Sequence, residues 1–240
     1  MKRIDMAVDR QVFPPVKKTF NPQGERRFLY IGKAGENKGT DYLDYLARLN
    51  SNIHFGWVGT VAKKPSAVKM HGYINLASSK GREILGMYDF LLTCGRSDAN
   101  PTTILEGAAA GLIPVCTPQS GYVNEDWVIN IPLNNAGAAS AILQDLQVAQ
   151  ESRLLELQQN AKKRLESHFT WERFGEDVAT AIQSPPAVDR GHPQWKTLAK
   201  RNRELLARFS AMTPCSQSAG RRWLSPQKWI KAVVKGFTHG

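Results

Sequence analysis

Two acidic residues and a helix start between them form the part of this sequence best suited to chemistry. Asp98 lies eight positions before Glu106, and the dipeptide Asn100-Pro101 stands between them. Asn is a preferred helix N-cap and Pro is favoured at the first helical position, so a helix is predicted to start at Pro101. The free N–H groups at such a start attract anions, and carboxylates accept hydrogen bonds from hydroxyl groups. The segment therefore favours a ligand that carries both phosphate and sugar hydroxyls.

A glycine-rich segment with two lysines, from Gly32 to Gly39, follows an apolar run and could hold the phosphate groups. Glycine lets the backbone approach a ligand closely, and Lys33 and Lys38 together can neutralise a diphosphate. The segment is not a Walker A loop, because no Gly-Lys-Ser/Thr follows at the required spacing. The alternative is an ordinary surface turn between a strand and a helix, with both lysines in solvent.

Together the two segments resemble the C-terminal, nucleotide-sugar-binding domain of retaining GT-B glycosyltransferases of the family-4 type. The family pattern G-R-x4-K-G is met between Gly32 and Gly39, with a lysine in the arginine position. The pattern E-x7-E is met between Asp98 and Glu106, with aspartate in place of the first glutamate. Each motif is moderately specific alone, and their order and spacing together carry the resemblance.

Two further segments extend this resemblance to roughly residues 4 to 183. Residues 4–15, IDMAVDRQVFPP, are similar to the segment that follows the interdomain linker in the family, and residues 167–182, SHFTWERFGEDVATAI, are similar to its closing helix. The resemblance implies an α/β fold with a three-layer, Rossmann-like parallel sheet, which is one half of a GT-B fold. It also implies a role in polysaccharide or glycoconjugate biosynthesis.

The resemblance also implies roles for individual residues. Lys33 and Lys38 would stabilise the charge that develops on the departing diphosphate, and Asp98 would orient the donor sugar, so these three take the catalytic positions. Glu106 would accept hydrogen bonds from the ribose. The full set expected to hold the nucleotide sugar is Gly32, Asn100, Thr102, Thr103 and Glu106.

No metal and no separate cofactor are expected, and a nucleotide-diphosphate sugar is the expected donor substrate. No His, Cys or Asp cluster has the spacing of metal ligands, and His168 is placed outside the site. GT-B enzymes generally hold the diphosphate with protein groups and a helix dipole, and the resemblance carries that expectation to this chain.

The sequence departs from the family pattern in three ways. Lys33 keeps the charge of the usual arginine but loses its two-pronged geometry, and Asp98 is one methylene shorter than glutamate. The acceptor-binding N-terminal domain of the family has no counterpart here. Two functions therefore remain open. The chain is either the donor-binding half of a glycosyltransferase that works with a missing domain or a separate chain, or a non-catalytic nucleotide-sugar-binding or membrane-associated module.

Short apolar runs alternate with helical patterns along the chain, which predicts a parallel sheet covered on both faces. The predicted strands are residues 27–31, 53–58, 68–72, 89–93, 113–116 and 128–131. The predicted helices are residues 40–49, 81–87, 101–110, 136–147, 151–168 and 171–183. In such sheets ligands bind at the carboxyl ends of the strands, which Lys33 and Asp98 both follow.

The predicted organisation is a linker segment at residues 1–26, the donor-binding domain at 27–184 and a basic helical extension at 185–240. Residues 190–240 hold 11 of the 32 Lys and Arg but only one of the 21 acidic residues, so they carry +10 of the net charge of +11. Two Trp-bearing amphipathic segments lie within them. These segments either dock on the rest of the protein or contact an anionic membrane, while nucleic-acid binding is disfavoured.

The remaining composition is that of a globular protein in a reducing compartment. Cys94, Cys116 and Cys215 are widely spaced, and the first two end apolar runs, so both are expected to be small buried hydrophobic residues. No run of 18 apolar residues occurs and the start lacks a signal-peptide pattern. The expected location is the cytoplasm, with possible peripheral attachment to the inner face of the membrane.

Overall fold

The structure is a computed structural model, and it describes residues 4–61, 64–98, 100–183 and Glu204 of the 240. The chain divides into two units, residues 1–184 and 185–240. All six strands and six helices whose bounds are described lie in the first unit. The two amphipathic segments of the basic extension, and with them the docking and membrane hypotheses, lie outside the described residues.

Strands and helices alternate along most of the first unit, apart from two consecutive strands within residues 54–72 and three consecutive helices within residues 136–183. The strands are β1 (Arg27–Ile31), β2 (His54–Val58), β3 (Lys69–Gly72), β4 (Phe90–Thr93), β5 (Ile113–Cys116) and β6 (Ile129–Asn130). The helices are α1 (Thr40–Leu49), α2 (Ser79–Met87), α3 (Thr102–Ala109), α4 (Ala136–Gln147), α5 (Glu151–Ser167) and α6 (Trp171–Gln183). Every predicted element is present, and each bound lies within two residues of its predicted position.

The six strands form one sheet in the order β3-β2-β1-β4-β5-β6, and every pair is parallel. The order reverses between β1 and β4, which are neighbours in the sheet but far apart in sequence. A crevice opens at such a reversal because the chain leaves the two strands toward opposite faces of the sheet. This arrangement confirms the predicted Rossmann-like parallel sheet.

Alternating side chains of the buried strands build one core on each face of the sheet. Leu29 and Ile31 of β1 point to the face covered by α2, α3 and α5, where they join the first cluster of buried residues. Phe28 and Tyr30 point to the opposite face, where α1 and α4 complete the second cluster. Because β1 is buried on both faces, its sequence is a continuous apolar run rather than an alternating one.

The segment before β1 packs along the domain without forming a helix or strand. Its backbone N–H groups at Val16 and Lys17 both donate to the Ala110 carbonyl, at 2.9 and 3.0 Å. The Lys17 ammonium lies 2.9 Å from Asp89, and both side chains are almost fully buried. Asp89 also accepts the backbone N–H of Arg27 at 2.8 Å. This ion pair joins the segment to the starts of β1 and β4.

Two helix starts differ from their predicted positions. Helix α2 begins at Ser79 rather than residue 81, because the Ser78 hydroxyl caps it by accepting the Gly81 N–H at 3.1 Å. Helix α3 begins at Thr102, with Pro101 rather than Asn100 in the N-cap position. The reason for the second difference lies in the contacts of Asn100, which belong to the candidate site.

Cys94 and Cys116 are both free and buried, which confirms the prediction that they are small hydrophobic core residues. Cys215 lies outside the described residues. In the part of the chain that the structure describes, no helix is long and apolar enough to cross a membrane.

Candidate functional site

The candidate site lies at the carboxyl ends of β1 and β4, where the strand order reverses. Two loops meet there: the β1 loop, residues 32–39, and the β4 loop, residues 94–101, of which residue 99 is not described. The β1 loop leads into α1 on one face, and the β4 loop leads into α3 on the other. Most of the site residues predicted from the sequence lie in these two loops.

Two aromatic side chains hold the start of the β1 loop. The Trp57 indole N–H donates to the Gly32 carbonyl at 2.9 Å, and the Tyr30 hydroxyl donates to the Lys33 carbonyl at 3.0 Å. The two rings pack edge to face with centroids 4.8 Å apart. Burial, followed by the negative charge of Asp98, raises the pKa of Tyr30, so its hydroxyl stays protonated as a donor. The backbone of Gly32 and Lys33 is therefore fixed in place.

The side chain of Lys33 itself is exposed. Within the described residues it makes no ion pair, so the structure does not bring it together with the other charged groups. Its exposed position agrees with the alternative of a surface lysine in solvent, and it agrees equally with contact to a ligand that enters from solvent.

Lys38 and Asp98 are brought together directly. The Lys38 ammonium lies 2.6 Å from Asp98 Oδ1, and the two side chains are 36% and 19% exposed. They come from opposite loops of the crevice and are 60 residues apart in sequence. The pair places one positive and one negative group, both partly shielded from water, at the same point of the site.

Close packing between the loops depends on Gly39. Its φ is +62°, and a Cβ added there would lie 1.8 Å from the Cys94 carbonyl oxygen. Any other residue would push the two loops apart or strain the backbone. The glycine therefore permits the approach that pairs Lys38 with Asp98.

Arg96 is a site residue that the sequence prediction missed. Its guanidinium donates to both carboxylate oxygens of Asp41, at 2.5 and 2.7 Å, and to the Glu36 carbonyl at 3.1 Å. The backbone N–H groups of Arg96 and Ser97 both donate to the Asn37 carbonyl, at 2.9 and 3.2 Å. Its position two residues before Asp98 was the only available signal, since its partner Asp41 lies 55 residues away.

Asn100 does not cap helix α3, so that part of the sequence prediction is wrong. Its amide Nδ2 donates to Asp5 at 3.1 Å, and its Oδ1 accepts the Tyr122 hydroxyl at 2.5 Å. Its backbone N–H donates to the Ser120 carbonyl at 2.9 Å, and its φ is +58°, in the left-handed region. Tertiary partners therefore outcompete the local cap for this side chain.

The start of α3 is left open as a result. Pro101 occupies the N-cap position, and no side chain caps the helix. Within the described residues, the backbone N–H groups of Thr102 and Thr103 have no acceptor. Such free donors at a helix start, together with its positive dipole end, attract an anion. Asp98 stands four residues before Thr102, in the loop that leads into this helix.

Glu106 lies one turn further along α3 and is partly buried. Burial raises the pKa of its carboxyl group, because the charged form is less favourable away from water. No described residue donates a hydrogen bond to it. A shielded carboxylate without a protein donor is suited to accept hydrogen bonds from a ligand.

His168 does not contact a predicted site residue directly, but it is connected to Asn100 through Asp5. Its Nε2 lies 3.0 Å from Asp5 Oδ2, and the other oxygen of Asp5 accepts the bond from Asn100. The chain of contacts runs from the end of α5 through the N-terminal segment to the β4 loop. Nothing in the sequence pattern around Asp5 or His168 indicated that they meet, because they are 163 residues apart.

No family model matches this chain, and no curated protein gives a significant match. Similarity is found among solved structures. Sucrose-phosphate synthase from Thermosynechococcus elongatus is 15% identical with a TM-score of 0.59, over 75% of this chain and 51% of that one. HepE from Anabaena, solved with UDP and glucose, is 12% identical with a TM-score of 0.56, over 75% and 55%.

The C-terminal domain of a glycosyl transferase group 1 family protein from Francisella tularensis matches over its whole length. It is 14% identical with a TM-score of 0.54, over 69% of this chain and 100% of that one. By contrast, the match spans only about half the length of sucrose-phosphate synthase and of HepE. At these identities the likeness establishes the fold, and the first unit of this chain has the fold of the C-terminal half of a GT-B glycosyltransferase.

Proposed function

We propose that this unit binds a nucleotide-diphosphate sugar and serves as the donor-binding half of a glycosyltransferase that retains the anomeric configuration. The observation that carries the proposal is the meeting of Lys38 and Asp98 at the strand-order reversal, next to the uncapped start of α3. The Lys38 cation and the free backbone N–H groups match the diphosphate and the negative charge that develops on it. The Asp98 carboxylate matches the hydroxyls of the sugar.

The diphosphate would bind between Lys38 and the N–H groups of Thr102 and Thr103. Lys38 would then exchange part of its contact with Asp98 for contact with phosphate oxygens. Fixed donors and cations of this kind stabilise the negative charge that grows on the diphosphate as the glycosyl bond breaks. Once the diphosphate is bound, they require no further reorganisation during the reaction, because the loops are already held by Trp57 and Arg96.

Asp98, once Lys38 turns toward phosphate, would accept hydrogen bonds from hydroxyls of the donor sugar and orient its ring. Glu106 would accept hydrogen bonds from the ribose. Its partial burial makes these bonds stronger than they would be in water, because the local dielectric constant is lower. No donor among the described residues competes with the ribose for this carboxylate. The two carboxylates would thus read different parts of the same ligand.

The proposal includes binding without a divalent metal, with Lys38, Lys33 and the α3 dipole supplying the positive charge. Among the residues that the structure describes, no three His, Cys, Asp or Glu side chains gather as a metal site would need. The proposal predicts that binding persists in the presence of a chelator such as EDTA.

Transfer to an acceptor would need an acceptor-binding domain, in this polypeptide or in another one. Sucrose-phosphate synthase and HepE each contain a further part, about half of their length, that this chain does not match. HepE was solved with UDP and glucose, which supports a uridine nucleotide sugar as one candidate donor.

The test is a panel of nucleotide sugars offered to the full chain, with binding followed by ligand-observed NMR and donor hydrolysis followed by release of the nucleoside diphosphate. The proposal predicts binding of at least one nucleotide sugar, displaced by its own nucleoside diphosphate. Slow donor hydrolysis would favour the catalytic half over a non-catalytic binding module. Absence of binding to every member of the panel would refute both.

A further inference from the structure

Arg96 ties together the two loops that carry the charged groups of the site. Its guanidinium is bidentate to Asp41 in the first turn of α1, with distances of 2.5 and 2.7 Å, and reaches the Glu36 carbonyl at 3.1 Å. It thereby spans from the β4 loop to both the β1 loop and the helix that follows it.

The backbone beside Arg96 strengthens the same junction. The N–H groups of Arg96 and Ser97 share the carbonyl of Asn37 as acceptor, at 2.9 and 3.2 Å. Asn37 directly precedes Lys38, and Ser97 directly precedes Asp98. The residues that form the Lys38–Asp98 pair are therefore each one position away from a backbone bond between the loops.

The Arg96–Asp41 pair is poorly placed to hold the whole fold. The Arg96 side chain is about one-third exposed and Asp41 about two-thirds, and exposed ion pairs contribute little to global stability. Hydrogen bonding to Arg96 lowers the pKa of Asp41, so the carboxylate is charged across the neutral range. A two-pronged guanidinium–carboxylate contact fixes orientation as well as distance. Its effect is thus expected on local geometry.

We propose that Arg96 is a positioning residue of the donor site, which fixes the β1 loop against the β4 loop so that Lys38 and Asp98 face the same ligand. The proposal rests on the proposed function for its ligand, and on the contacts of Arg96 alone for the clamp itself. The proposal makes Asp41, a residue in helix α1 with no expected ligand contact, part of the same clamp.

The clamp can be tested without any ligand. Amide hydrogen exchange at Arg96 and Ser97 should be slow in the wild-type chain and faster by about tenfold or more in Arg96→Ala, because the loops separate more often. Arg48→Ala is the matched control, since Arg48 pairs with Asp44 within α1 and touches neither loop. Equal exchange in wild type and Arg96→Ala would overturn the clamp.

Ligand binding then tests the positioning role. The probe is whichever of UDP, GDP and ADP the wild type binds most tightly, together with its monophosphate. Arg96→Ala should weaken the diphosphate about tenfold and the monophosphate much less, because misplaced loops lose the contacts to the second phosphate. Arg96→Lys should behave like Arg96→Ala, since lysine keeps the charge but loses the two-pronged geometry. Full rescue by lysine would mean that only charge matters, and would contradict the proposal.

The double variant Asp41→Asn/Arg96→Ala completes the test. If both residues act as one clamp, the double variant should bind the diphosphate no more weakly than Arg96→Ala. Additive losses would contradict a shared role, as would a melting temperature in Arg96→Ala low enough to account for the lost binding. A wild-type chain that binds none of the three diphosphates would refute the proposed function, while the exchange experiment would still decide the clamp.

Discussion

The Lys38 ammonium lies 2.6 Å from Asp98 Oδ1, across the crevice where the strand order of the sheet reverses. Neither residue is fully buried, and each has a different expected partner in a nucleotide sugar. The two side chains neutralise each other, so neither leaves an isolated charge in a partly shielded position. A diphosphate would have to compete with Asp98 for Lys38.

Asp98→Asn and Glu106→Gln should affect different parts of the ligand. Asp98→Asn should leave the affinity for a nucleoside diphosphate unchanged or slightly tighter, because it frees Lys38, while it weakens the corresponding nucleotide sugar. Glu106→Gln should weaken both ligands alike, by about 1.5–3 kcal/mol, through loss of a charge-assisted bond to ribose. Calorimetric titration of each variant with both ligands gives the four affinities. Equal losses for both ligands in both variants would contradict the division of roles.

Glu106→Gln should also make the folded protein more stable at pH 7, because burial raises the pKa of Glu106. A carboxyl group whose pKa is higher in the folded state binds its proton more tightly there than in the unfolded chain. The ionised form therefore costs stability once the pH rises above the ordinary pKa of glutamate. Glutamine removes this cost, so the variant should melt at a higher temperature than wild type at pH 7, and the difference should vanish near pH 4.

Thermal melts at the two pH values check this, with the exposed Glu156→Gln in α5 as the matched control. The control should show no such pH-dependent gain. A Glu106 variant less stable than wild type at pH 7 would show that the carboxylate has a stabilising partner in the protein.

Gly39→Ala should be strongly destabilising. The new methyl group would lie 1.8 Å from the Cys94 carbonyl, and the backbone at +62° already disfavours alanine. We expect a loss of about 2–4 kcal/mol in the free energy of unfolding, measured by urea denaturation. Gly86→Ala in helix α2 is the control, because nothing lies within 4 Å of the added methyl group. That variant should be neutral or more stable by up to about 1 kcal/mol.

Tyr122 and Asn100 offer a rescue experiment on the open start of α3. Tyr122→Phe removes the hydroxyl that donates to Asn100 Oδ1, and this oxygen is then free to accept hydrogen bonds from the N–H groups of Thr102 and Thr103. Binding of a nucleoside diphosphate should fall about three- to tenfold, since a cap of this kind contributes about 1 kcal/mol. Asn100→Gly in the same chain removes the competing cap and should restore affinity. A double variant that binds more weakly than Tyr122→Phe would contradict the competition.

Much of the fold could be predicted because its signals are local. The apolar run of β1 and the amphipathic pattern of α1 are continuous stretches, and the structure places both at their predicted bounds. The strand order required more than local pattern, since β1 pairs with β4 across 62 residues between Phe28 and Phe90. The resemblance to a known fold implied a Rossmann-like parallel sheet, and the order of its strands comes from the structure.

The site was predictable where its residues follow a strand end and not where they meet across the chain. Lys38 and Asp98 were identified from motif spacing, yet their ion pair was not. Asn100 was expected to cap α3 because asparagine favours that position, but Asp5 and Tyr122 hold its side chain instead. Arg96 was overlooked because its partner Asp41 is distant in sequence. Contacts of this kind depend on the assembled sheet, so no local pattern carries them.

The most direct test of the account is calorimetric titration of the full chain with UDP, GDP and ADP in EDTA, for wild type and for Lys38→Met. We expect wild type to bind at least one of the three without metal. Lys38→Met should weaken that binding at least about tenfold, because it removes the cation and leaves Asp98 unpaired beside the phosphates. Lys18→Met, at an exposed lysine of the N-terminal segment, should bind like wild type. No binding in EDTA with recovery in Mg²⁺ or Mn²⁺, or equal affinity in wild type and Lys38→Met, would contradict the account.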